Sequence, residues 1–137
     1  MVDALRSARR VLRRGGLVVD LQPAADYTPH LAIAHDRVRR ELGAISRTPD
    51  EGVVAAHRAR RIAIAEGGFS LLVSTHGTHR SRYRGLADLR WLLRQNENWR
   101  IEPPLWRRLV QTWARRPEGA EIEVRQAFSL AVLRKRG

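Results

Sequence analysis

The chain has 137 residues, a length suited to one domain with one hydrophobic core. A hydrophobic fraction of 43% excludes wholesale disorder, no apolar run approaches the roughly 18 residues of a membrane helix, and the absence of cysteine excludes disulfides and thiolate metal sites. Twenty-six Lys and Arg against fourteen Asp and Glu leave a net charge of +12, and every cation but Lys135 is arginine, so weak, salt-sensitive and non-specific association with nucleic acid is expected.

The start, Met1-Val2-Asp3-Ala4-Leu5, lacks the basic-then-apolar order of a secretory signal, which leaves a cytoplasmic location as the expectation. Val2, Leu5, Ala8 and Leu12 recur at helical spacing, with Arg6, Arg9, Arg10, Arg13 and Arg14 on the other faces, so a helix is predicted over 2–14. Gly15-Gly16 stops it, because glycine accepts the left-handed conformation common just past a helix. Leu17-Val18-Val19-Asp20-Leu21 follows as a strand whose continuous apolarity suggests cover on both faces. A loop with Pro23, Asp26 and Pro29 comes next. Over 31–45, Leu31, Ala34, Val38 and Leu42 fit a helix, toward which periodicity alone leans, while alternation on either side of Asp36 fits a hairpin.

Thr48-Pro49-Asp50-Glu51 supplies an N-cap, a proline at the first helical position and an acidic capping residue for a helix over 50–66, with Ala55, Ala59 and Ile62 along its apolar face. Gly67-Gly68 ends it, and a long strand runs from Phe69 to about Tyr83. Two short helices, 86–95 and 103–115, are separated by Pro103-Pro104. In the last strand Ile122, Val124, Phe128, Leu130 and Val132 point one way, while Glu121, Glu123, Arg125 and Ser129 point the other.

The stretch Ala4-Leu5-Arg6-Ser7-Ala8-Arg9-Arg10-Val11-Leu12-Arg13-Arg14-Gly15-Gly16-Leu17-Val18-Val19 resembles the segment of class I S-adenosylmethionine-dependent methyltransferases written "aRvLrPGGrlv". There a helix ends in a diglycine and the fifth strand begins at once; Arg14 stands where the family has proline. The order of the downstream elements is similar to that family too, and on that resemblance 31–45 is read as an inserted hairpin. The resemblance implies a single α/β domain holding part of a Rossmann-like methyltransferase sheet: one parallel-type strand, a long antiparallel strand pair and the hairpin, with about four helices.

The same resemblance implies a carboxy-terminal portion that lacks the cofactor-binding half and is inactive alone. In the family, a glycine-rich turn and acidic residues upstream of this segment hold S-adenosylmethionine, and no Gly-x-Gly turn follows a strand here. The complete enzyme would use that cofactor, and this chain alone is expected not to bind it. No catalytic or cofactor residue carries over. Asp20 and Gln22, at the carboxyl end of the 17–21 strand, are the residues placed at the rim of a substrate cleft. The edge of that strand would pair with the missing half or with a second copy of the chain. The competing reading is a non-enzymatic, arginine-rich nucleic-acid-binding protein.

Other constellations yield to plainer explanations. His76 and His79 stand three apart on a strand, so their rings point to opposite faces and no metal is expected. Ser74, Thr75 and His76 are adjacent, which rules out a nucleophile–base pair. Arg80, Arg82 and Arg84 read as a solvated charge row. The four tryptophans at 91, 99, 106 and 113 fit a base-stacking platform, but the stripe Trp106, Leu109, Val110 and Trp113 is better read as helix packing.

Overall fold

The helical spacing at the start produces α1 (Val2–Val11). The structure, a computed structural model, describes residues 2–137, with side chains from Ala4 onward; the expected place of Val2 in the apolar stripe and all of Met1 lie outside that description. The other elements are β1 (Leu17–Pro23), β2 (His30–His35), β3 (Val38–Ala44), β4 (Ser46–Arg47), α2 (Glu51–Ala65), β5 (Phe69–Tyr83), α3 (Leu86–Gln95), β6 (Trp99–Arg100), α4 (Pro103–Ala114) and β7 (Glu121–Lys135). The chain is therefore mixed α/β, with four helices among the described residues and a mostly antiparallel sheet. None of those helices is long and apolar enough to cross a membrane. Two compact units are present: Met1–Asp26, Pro49–Gly77 and Ala127–Gly137 form the first, and Tyr27–Thr48 with Thr78–Gln126 the second.

In the first unit β1 pairs antiparallel with β7, from Leu17 opposite Arg134 to Pro23 opposite Phe128. β5 also pairs with β7. Phe69, Ala131 and Leu133 form the core here, and Leu5 and Leu12 of the α1 segment, Val18 of β1, and Ala63 and Ile64 of α2 pack against it. The helix α1 stops at Val11 rather than at residue 14, because the chain is already being handed to β7. Lys135 Nζ donates to the Leu12 carbonyl, Gly15 N donates to Lys135 O at 3.2 Å, and Lys135 N donates to Gly16 O at 2.8 Å.

The diglycine has two separate roles. Gly15 adopts φ +76°, a left-handed conformation, and a Cβ on Gly16 would sit 2.9 Å from the Arg13 carbonyl oxygen. The helix α2 is capped two residues later than expected. Asp50, not Thr48, is its N-cap and accepts from Val53 N at 3.1 Å, so Pro49 precedes the helix. Its buried residues are Ala56 and Ala59, and Ala55 is exposed.

β1 is not covered on both faces. Val18, Asp20 and Gln22 lie half-buried, while Leu17, Val19 and Leu21 are 52%, 65% and 62% exposed. Continuous apolarity marks two apolar faces, and only the one on which α1 and α2 pack has cover. For the same reason the residues of β7 buried in this unit are Ser129, Ala131 and Leu133, not the expected Phe128, Leu130 and Val132.

In the second unit β2 and β3 form an antiparallel hairpin that turns at Asp36, φ +52°, which resolves 31–45 in favour of the hairpin. β2 also pairs with the first part of β7, giving the order β7-β2-β3. The core gathers Leu31, Ile45, Leu89, Leu105, Leu109 and Ile122. A two-stranded pairing of β4 with β6, which periodicity did not reveal, ties Ser46 to Arg100 and Arg47 to Trp99.

Glu123, on the face of β7 opposite its apolar row, is 1% exposed. Arg39 Nε lies 2.7 Å from its carboxylate and Arg82 Nε 3.6 Å, both ion pairs without hydrogen-bond alignment. Register explains how β3 reaches β7 across β2. Ala32 stands opposite Glu123, and Ala34 opposite both Arg39 and Glu121, so two methyl groups leave the arginine room to pass over the middle strand.

Gly15→Ala and Gly16→Ala are each expected to lower stability by about 1 kcal/mol or more, since one forces a side chain into positive φ and the other a Cβ into a carbonyl. Thermal unfolding followed by circular dichroism measures this, and melting temperatures equal to the unsubstituted chain would contradict the assigned turn.

Candidate functional site

The carboxyl end of β1 carries the polar cluster of the first unit. β1 places Asp20 and Gln22 on its half-buried side, α2 brings His57 and Arg60, and β7 brings Ser129, which is 1% exposed. Arg60 is the hub. Its Nη1 donates to Asp20 Oδ2 at 3.2 Å, and its Nη2 donates to Ser129 Oγ at 3.2 Å and to His57 Nδ1 at 3.1 Å. Gln22 Nε2 donates to the other Asp20 oxygen at 2.6 Å. A guanidinium only donates, so Nδ1 of His57 is the acceptor and Nε2 carries the proton that it gives to Pro23 O at 2.9 Å.

This arrangement defines what the cluster can do. Each Asp20 oxygen accepts one hydrogen bond and both His57 nitrogens are paired, so the cluster holds these groups in fixed orientation. Within this cluster Gln22 Oε1 is a buried acceptor without a hydrogen-bond donor among the described residues. Beside the cluster lies an open cleft of about 440 Å³, lined by Asp20, Gln22 and Pro23 from β1 and by Asp50, Val53 and Ala56 from the start of α2. Asp20 and Gln22 thus stand together at a cleft, in a geometry that orients groups.

Three of the cluster's members were not singled out from sequence. His57 and Arg60 share a helix face at i, i+3, a usable signal, but Ser129 is adjacent only through strand register. No set of three or more His, Asp or Glu side chains able to hold a metal occurs among the described residues. His79 Nε2 is hydrogen-bonded to Ser81 Oγ at 2.9 Å. Arg82 is engaged by Glu121 and Glu123 instead of standing in a solvated row. Of the tryptophan stripe, Trp113 is buried and Trp106 packs on the core, as helix packing requires, but Val110 is 38% exposed and Leu105 takes its place. Arg116 stacks 4.0 Å over Trp113 and Arg90 5.1 Å from Trp106.

Family models, curated proteins and solved structures offer no match to this chain.

Arg60→Met should cost about 3 kcal/mol in urea unfolding, because it strands a mostly buried carboxylate. Arg60→Lys should recover less than half of that, since one ammonium cannot serve three acceptors set around a planar fork. Full recovery by lysine would contradict the assigned hub.

Proposed function

We propose that this chain is the carboxy-terminal portion of a class I S-adenosylmethionine-dependent methyltransferase, inactive until a cofactor-binding half completes its Rossmann-like sheet. The observation that carries this reading is the half-built state of the sheet around β1. One edge of β1 is paired with β7 and one face is covered by α1 and α2, while Leu17, Val19 and Leu21 stay exposed on the other face. Further support comes from the order of the first unit, in which an antiparallel β7 pairs with β1 and with β5, and helices precede and follow β1. In the proposed enzyme a parallel strand of the other half lies along the open edge of β1.

The residues present do not fit the cofactor. Its phosphate-free adenosine moiety requires a glycine turn after a strand and an acid with free oxygens for the ribose hydroxyls. The diglycine here follows a helix, β1 runs into Pro23, and Asp20 has both oxygens engaged. The cleft beside Asp20 and Gln22 would then contribute to the acceptor side of the complete enzyme, a substrate-cleft rim held rigid by Arg60.

Two measurements test this. Titration calorimetry of the chain with S-adenosylmethionine should show no binding, and stoichiometric micromolar binding would sink the reading. Sedimentation velocity should show self-association at micromolar concentrations through the open β1 edge, relieved by Val19→Lys, which sets a charge on the exposed apolar face. A cooperatively folding monomer across that range would count against a half-built sheet.

A further inference from the structure

The arginines of the α1 segment and the end of β7 are brought together on the first unit. Lys135 exchanges backbone hydrogen bonds with Gly15 and Gly16, and the Arg14 guanidinium lies against Gly137. A basin of about 810 Å³ opens there, lined by Arg6, Arg9, Arg10, Lys135 and Gly137, with Glu66 as the only acidic side chain among its described lining residues. Glu66 is taken by Arg6 at 3.6 Å. Arg9, Arg10, Arg13 and Arg14 are exposed, and among the described residues none of them makes an ion pair. Four uncompensated guanidinium groups therefore stand within two helical turns of one another, where the negative end of the α1 dipole offsets part of their mutual repulsion.

We infer that this surface binds the phosphate backbone of nucleic acid without reading bases. Each guanidinium carries a fixed positive charge that neutralises a phosphate and releases its counterion. The apolar side of the α1 segment is already used, because Leu5 and Leu12 pack on the Phe69, Ala131 and Leu133 cluster, so the helix has no free face to sink into a lipid layer. The only aromatic rings other than imidazole in the first unit are Phe69, which is buried, and Phe128, which lies against Gly77, so no stacking platform accompanies the charge. Such binding needs no methyltransferase partner.

Fluorescence anisotropy with a labelled, mixed-sequence RNA duplex tests the surface in a salt series from about 50 to about 200 mM. The combined substitution R9A/R10A/R13A/R14A should weaken binding on the order of tenfold or more at the lowest salt and flatten the log–log salt slope by about 3.6, near 0.9 per lost phosphate contact. The R9K/R10K/R13K/R14K chain should stay within about threefold of the unsubstituted one, because charge is retained. So should R37A/R40A/R107A/R115A, which removes equal charge from exposed arginines of the second unit. Circular dichroism checks folding. If the alanine chain does not fold, Arg9→Ala and Arg13→Ala singly should each flatten the slope by about 0.9. Equal loss from the second-unit set would overturn the inference in favour of diffuse net charge. Capture by anionic phospholipid vesicles as tight as by the duplex, or absence of duplex binding at the lowest salt, would also overturn it.

Discussion

The antiparallel pairing of β1 with the second part of β7 is the contact on which the first unit depends. It sets Val18 beneath the helices, aligns Asp20 and Gln22 with Ser129 and Arg60, and turns Leu17, Val19 and Leu21 outward. The diglycine makes it possible by reversing α1 into β1 at a point already hydrogen-bonded to Lys135. Covering three half-exposed aliphatic side chains would contribute only about 3 kcal/mol at the usual value for burial. Association costs about 4–15 kcal/mol in lost freedom, so a stable cover must also pair the β1 edge and reach the half-buried Phe128, Leu130 and Val132. A second half-domain can do all three, which is why the open edge and the open face belong to one account.

Local chemistry in the chain announced much of the fold. Pro103-Pro104 opens α4, Gly67-Gly68 follows the end of α2 and Gly15-Gly16 carries the turn into β1, whereas over 31–45 local spacing suits a helix at least as well as the hairpin that turns at Asp36. What escaped was whatever depends on register. The burial of Glu123 follows from Ala32 and Ala34 standing opposite it and Arg39 on the middle strand, and alanines at those positions look unremarkable until the strands are aligned. The exposure of Leu17, Val19 and Leu21 escaped for a related reason, since an apolar residue records a preference for cover and not its presence.

The candidate site divides in the same way. Asp20 and Gln22 could be placed at a strand end from the order of elements alone. Arg60, which holds Asp20 across forty positions of sequence, could not, because an arginine among twenty-six cations carries no mark of its role. Its three bonds hold Asp20, His57 and Ser129 in fixed orientation, and both His57 nitrogens are paired.

The open edge of β1 can be tested residue by residue with amide hydrogen exchange measured by NMR, at concentrations below those of self-association. Amides of β1 directed at β7 should be protected, and the alternate amides, directed at the unpaired edge, should exchange at rates close to those of exposed peptide. Uniform protection along Leu17–Pro23, equal to that of the centre of β7, would contradict a strand with one side left open for a partner.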